Sequence, residues 1–290
     1  MSDTVSNRMS AQQPILQVTD LAVDRGTGRG RKRVVDGVSF DVPTGTTLGL
    51  VGESGSGKTT TGMAILGMLP VTSGTVIFEG RDISTVRRGE RRALGSRRQV
   101  IFQDPYSSLD PSKTIGYTLA EPCRIVPKQQ RMSTAEIAER QATLLESVGL
   151  SQDAARRYPA QFSGGQRQRI AIARALMLSP QLIVCDEPVS ALDLSVQAEV
   201  LNLLVKLQRE LGLSLLFISH DLSVVRHISH SIVVLRNGRV VEQGPAERVY
   251  DDPHDDYTRK LLAAAPVPDP AEQRARREAR QQQLVKEGSR

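Results

Sequence analysis

A chain of 290 residues with 39% hydrophobic and 24% charged side chains buries a sizeable core as one or two domains, and its composition is not that of a disordered or fibrous protein. It has no apolar run near the ~18–20 residues that span a bilayer, and residues 1–13 lack the apolar core of a secretory signal, so a cytoplasmic protein is expected. The net charge of +6 invites a nucleic-acid reading, but only 3% of residues are aromatic and little is left to stack on bases. Solvated faces near phosphates or lipid headgroups account for the basic balance, and no specific nucleic-acid partner is expected.

In chain order, residues 1–14 read as a disordered N-terminus and Ile15–Val23 as a first strand, followed by a basic, Gly-rich loop from Arg25 to Arg33. Val34–Val42 alternates apolar and polar residues as an edge strand does. Thr47–Val51 is a short apolar strand of the kind buried in a parallel sheet, and it runs into Gly52-Glu53-Ser54-Gly55-Ser56-Gly57-Lys58-Thr59 and a helix over 59–69. Residues from about 90 to 165 are charged, with helical stretches such as Ala135–Val148, and read as a helical insertion without strong strand runs. A helix over Gly165–Leu178, a strand Leu182–Cys185, a helix Val196–Leu211, a strand Ser214–Ile218 and a short helix Leu222–Ile228 follow. Asn237-Gly238 between Ser231–Arg236 and Arg239–Glu242 signals a two-residue hairpin. From residue 250 the chain reads as an extension, with a stiff Pro-rich linker at 266–270 and a charged, mobile tail. Cys123 and Cys185 have no metal-ligand spacing, Cys185 sits in an apolar strand, and two thiols are too few for an iron–sulfur cluster.

Three segments carry chemistry. The G-x-x-x-x-G-K-T loop turns backbone amides toward phosphate oxygens at a helix N-terminus, with Lys58 on the terminal phosphates and Thr59 on Mg²⁺. Asp186 and Glu187 end an apolar strand, at the sheet edge where ligands bind in such folds. Asp186 is suited to hold Mg²⁺ through water, and Glu187 to take a proton from, or orient, an attacking water. Ser163-Gly164-Gly165-Gln166 opens a second helix roughly a hundred residues after the loop. These residues alone fit a second anion cradle and a plain helix-start turn equally well.

Phe162-Ser163-Gly164-Gly165-Gln166-Arg167-Gln168-Arg169 resembles the signature motif of ATP-binding cassette (ABC) ATPases. Gln103 in Phe102-Gln103-Asp104-Pro105 is similar to that family's Q-loop, Ser190-Ala191-Leu192-Asp193 to its D-loop, and Ser219-His220-Asp221 to its switch-histidine segment. The likeness runs from about residue 16 to 249. It implies an α/β fold: a RecA-like P-loop NTPase core with an antiparallel β edge and a helical signature subdomain.

The resemblance also implies that ATP is held by Gly52–Thr59 together with Thr60 and Gln103. Mg²⁺ would be held by Thr59, Gln103 and Asp186, and Lys58, Glu187 and His220 would be catalytic. Ser163, Gly164, Gly165, Gln166 and Asp193 would close over the ATP of a second, homologous subunit. His227, His230 and His254 are left as structural or exposed. One position departs from the family, since Arg25 stands where an aromatic residue usually stacks on adenine. Either its guanidinium stacks on the base, or the loop is disordered and adenine is weakly held.

The segments 102–111 and 249–258 are similar to dipeptide/oligopeptide importers, although Asp255-Asp256 replaces the proline of the usual His-Pro-Tyr-Thr element. That subfamily also moves nickel, glutathione and related solutes. The resemblance therefore implies two permease subunits, an external solute-binding protein, and a position on the cytoplasmic face of the inner membrane. DNA-repair relatives place a long coiled coil between their two cradles, and the roughly one hundred residues here leave no room for it.

Overall fold

Two sheets and nine α-helices are seen among the described residues of the computed structural model, which are 13–26, 28–86, 88–104, 109–127 and 131–264. The first sheet is antiparallel. It joins β1 (Leu16–Arg25), β2 (Lys32–Val42), β4 (Ser73–Phe78) and the two-residue β5 (Arg81–Asp82) in the order β2-β1-β4-β5. β2 lies at an edge, in keeping with its alternating pattern. The second sheet runs β10-β9-β3-β8-β7-β6 and contains β3 (Thr47–Val51), β6 (Arg98–Ile101), β7 (Leu182–Asp186), β8 (Ser214–Ser219), β9 (Ser231–Arg236) and β10 (Arg239–Pro245). All its neighbours are parallel except the β9–β10 hairpin.

The second sheet is covered on both faces, and that explains its continuous apolar runs. In β8, Leu216 and Ile218 join the core formed with the first sheet and α1 (Lys58–Ile65). Leu215 and Phe217 point the other way, into a core shared with α5 (Gly164–Leu176), α6 (Leu194–Leu211) and α7 (Leu222–Ile228). That second core continues into α3 (Ile115–Ile125) and α4 (Thr134–Ser147), the helical part of the molecule. α4 begins with a reciprocal cap in which Ser133 and Glu136 satisfy each other's backbone amides.

Two boundaries differ from expectation. The stretch 90–165 holds α2 (Arg88–Arg97), α3 and α4, but β6 lies inside it as an edge strand of the core sheet. Arg98-Gln99-Val100-Ile101 is too short and polar to read as a strand. Its arginine is nonetheless 4% exposed: the guanidinium donates to the Ile65 carbonyl at the C-terminus of α1 and lies 5.4 Å from the centre of the Phe78 ring. Burial lowers its pKa to about 10. At the other end, α8 (Ala246–Asp251) crosses the expected boundary at 249/250, and α9 (Asp256–Ala264) is packed onto the domain through Tyr257. The N-terminal segment 1–12 and the tail 265–290 lie outside the described residues.

The Asn237-Gly238 turn forms as expected, with both residues at positive φ (51° and 80°). It also has a second task. The Gly238 amide donates to the Ser56 carbonyl (2.9 Å) while its own carbonyl accepts from the Asp36 amide (2.8 Å), bracing the loop after β3 against β2. A Cβ on Gly238 would stand 2.3 Å from the Val34 carbonyl oxygen. Gly238→Ala is therefore expected to lower unfolding stability by roughly 2 kcal/mol or more, read from a denaturant midpoint.

Candidate functional site

The site is assembled by strand register. Val51 of β3 pairs with Ser219 of β8, Asp186 of β7 with Ile218, and Ile101 of β6 with Cys185. Four adjacent parallel strands thus end level, and each releases one of the expected motifs: Gly52–Thr59, His220, Asp186–Glu187 and Gln103. This is the carboxyl edge of an open α/β sheet, where crossover connections leave a crevice for ligand.

In the loop, the Lys58 side chain is buried, with its ammonium on the Gly52 (2.6 Å) and Glu53 (2.9 Å) carbonyls. Burial pulls its pKa below the ordinary lysine value, against the attraction of Glu187, Asp186 and Glu53. The Ser56 hydroxyl is buried and has no hydrogen-bond partner. Thr59 donates its hydroxyl to Asp186 Oδ1 (2.9 Å). Burial raises the pKa of Asp186, and the neighbouring Glu187 adds to this, while Thr59 and Lys58 oppose it.

Glu187 follows at φ 48°, an uncommon backbone state for a side-chain-bearing residue, and its amide donates to the Ile218 carbonyl (3.0 Å). Its carboxylate lies 3.2 Å from His220 Nδ1. Residues 33 positions apart in sequence are thus adjacent, with the acid four-fifths buried and the imidazole more than half exposed. Gln103 is exposed just past β6, and Pro105–Ser108 of the segment 102–111 lie outside the described residues. Arg25 ends β1 and is exposed. His230 Nδ1 accepts from the Thr47 amide (3.1 Å), and His227 Nε2 lies 2.9 Å from Asn202 Oδ1.

Ser163–Gln166 lie apart from this site. Ser163 caps α5, its hydroxyl accepting from the Gln166 amide (3.3 Å) while Gln166 Oε1 accepts from the Ser163 amide (3.0 Å). This reciprocal cap leaves the Gly164 and Gly165 amides as the remaining first-turn donors. A Cβ on Gly165 would fall 2.3 Å from Val196 Cγ1, so this glycine is also needed for α5 to approach α6. Asp193 caps α6, its Oδ1 accepting from Ser195 Oγ (2.7 Å) and the Val196 amide (3.0 Å), and these bonds hold its carboxyl below the usual carboxylate range. Among the described residues, no hydrogen bond or ion pair links Ser163–Gln166 to Gly52–Thr60.

The residues present fit a magnesium nucleotide. A buried ammonium held only by carbonyls, an unpartnered buried hydroxyl and a hydroxyl–carboxylate pair form a donor set for polyphosphate and a hard cation. Fold and site together define a P-loop ATPase domain.

The ABC transporter family model matches residues 35–190, more than half of the chain. The chain is 50% identical over 272 residues to the glutathione import ATP-binding protein GsiA of Salmonella choleraesuis (strain SC-B67), covering 91% of this chain and 43% of that protein. It is 52% identical over 243 residues to the GsiA of Escherichia coli (strain K12), covering 84% and 38%. Among solved structures, the post-hydrolysis dimer of the ATP-binding cassette MJ0796 bound to ADP and Pi superposes with a TM-score of 0.71 at 27% identity, covering 80% of this chain and 98% of that one. The chain belongs to the ABC transporter family and carries its ATPase domain. It spans less than half the length of the curated relatives it matches. No helix among the described residues is long and apolar enough to cross a membrane.

Proposed function

We propose that this chain is an ATP-hydrolysing subunit that powers import of small peptides, glutathione among them, through a membrane ABC transporter. The observation that carries the reading is the level ending of β3, β8, β7 and β6, in a chain half identical to glutathione import ATP-binding proteins. In this reading Gly52–Thr60 hold the triphosphate and Lys58 turns from two carbonyls to the β- and γ-phosphates. The Arg25 guanidinium would stack on the adenine. Thr59, Gln103 and Asp186 would hold Mg²⁺, directly or through water, and the ion would neutralise charge on the phosphate oxygens.

Glu187 accepts the proton of the attacking water, and His220, within reach of the same carboxylate, fixes its direction and bonds the γ-phosphate. Ser163–Gln166 and Asp193 serve the ATP of a homologous subunit across a head-to-tail pair. Two facts support this: they are unconnected to the chain's own loop, and the similar MJ0796 cassette is a dimer. Two permeases at the cytoplasmic face of the inner membrane complete the assembly, with an external solute-binding protein.

The test is reconstitution of the chain with its permeases and binding protein in liposomes. ATP hydrolysis is expected to rise several-fold with glutathione or a dipeptide outside. Stimulation by nickel alone would overturn the peptide assignment, and absence of ATP hydrolysis would overturn the whole reading.

A further inference from the structure

α9 reaches the phosphate loop, and its footing is unusually firm for a segment near the end of a fold. The β9–β10 ladder shifts register between Val240 and Glu242, and Glu242 is turned inward there, its side chain 4% exposed. Its two carboxylate oxygens accept from the His254 (2.9 Å) and Asp255 (3.2 Å) amides, with the Arg248 guanidinium 3.8 Å away. Burial raises the Glu242 pKa, but these donors outweigh it and leave the carboxyl below its ordinary range. The turn they hold is continued by Asp255, whose Oδ1 accepts from the Tyr257 amide (2.8 Å). Tyr257 is 6% exposed, with the Arg236 guanidinium 4.9 Å from its ring centre.

The buried ring ends at the phosphate loop. Tyr257 Oη accepts from the Glu53 amide at 3.0 Å. That N–H and the Gly52 carbonyl belong to one peptide group, and the Gly52 carbonyl accepts from Lys58 Nζ at 2.6 Å. The first peptide of the loop is therefore held from both sides, by a hydroxyl on its N–H and an ammonium on its C=O. When the ammonium turns to a phosphate, the carbonyl side is released and the hydroxyl alone keeps the peptide plane. A loop free to rotate there would have to be reordered each time nucleotide binds.

We propose that Tyr257 is a positioning residue for the phosphate loop, through which the docked α9 sets the affinity of the site for nucleoside triphosphate. The inference rests on the ATP reading above. It assigns Tyr257 no contact with nucleotide.

The test is Tyr257→Phe in the full chain, which removes one oxygen and keeps the ring. Calorimetric titration with MgATP is expected to give a Kd raised about 3- to 10-fold, and phosphate release a KM raised in parallel with kcat within about twofold. The nucleotide-free unfolding midpoint should stay within about 2 °C. Tyr250→Phe is the control. Its ring lies under Arg226 (4.0 Å) on the neighbouring helix, and no change in Kd or KM is expected. A wild-type Kd in Tyr257→Phe, or a loss of kcat at unchanged KM, overturns the proposal. Failure of the wild-type chain to bind MgATP would overturn the ATP reading itself, and the inference with it.

Discussion

Replacing Glu187 by glutamine is expected to leave MgATP binding within a few-fold of wild type and to slow steady-state hydrolysis by about 10²–10⁴-fold. Glutamine keeps the volume and the hydrogen bond the backbone makes to Ile218, so β7 and β8 should not separate. The substitution removes the negative charge 3.2 Å from His220 Nδ1 and, with it, the group able to receive a proton from water. The left-handed backbone at this residue (φ 48°) is held by the fold, not by the side-chain charge, and should survive. Single-turnover phosphate release and equilibrium titration with MgATP separate the two steps. Near-normal turnover with intact binding would remove Glu187 from the chemistry and leave it a structural acid beside His220.

The second large effect is expected at Lys58. Lys58→Met keeps the length of the chain and removes the ammonium. Losing one member of a desolvated charge pair costs about 2–5 kcal/mol of binding, which corresponds to a Kd for MgATP raised about 30-fold to several thousandfold. The nucleotide-free protein should respond in the opposite direction.

Burial holds the Lys58 pKa below its unfolded value, so between the two values the unfolded chain binds more protons and stability rises with pH. Below the folded value the charged amine is a constant burden on the native state. At neutral pH, Lys58→Met is therefore expected to unfold at or above the wild-type midpoint without nucleotide. It should also lose the upward shift that MgATP confers on the wild type. A lower midpoint without nucleotide would mean that the bonds to Gly52 and Glu53 outweigh the desolvation of the ammonium.

The readable parts of the chain were those whose physics is local. A phosphate loop needs closely spaced glycines, a lysine and a hydroxyl before a helix, and Gly52–Thr59 supply them in one run between β3 and α1. The Asn-Gly hairpin, the apolar strands and the Ser163 cap are short-range patterns of the same kind, and each forms within a few residues of its expected bounds. β6 escaped because its cover comes from elsewhere: Arg98 is made tolerable by the carbonyl end of α1 and the Phe78 ring. β4 escaped because it is ordered by pairing with β1.

The sequence by itself determined that a phosphate loop precedes a helix, which residues make it up, and the order in which the motifs follow one another. Those properties reside in side-chain chemistry and in spacings of a few residues. Only the tertiary structure decided which motifs meet. Strand register sets Glu187 against His220 and Thr59 against Asp186, and it leaves Ser163–Gln166 apart from the chain's own loop. It also brought Tyr257 to Glu53 across 204 positions. A contact at that separation leaves no periodicity or spacing to read, since it follows from how β10, α8 and α9 pack after the chain has folded.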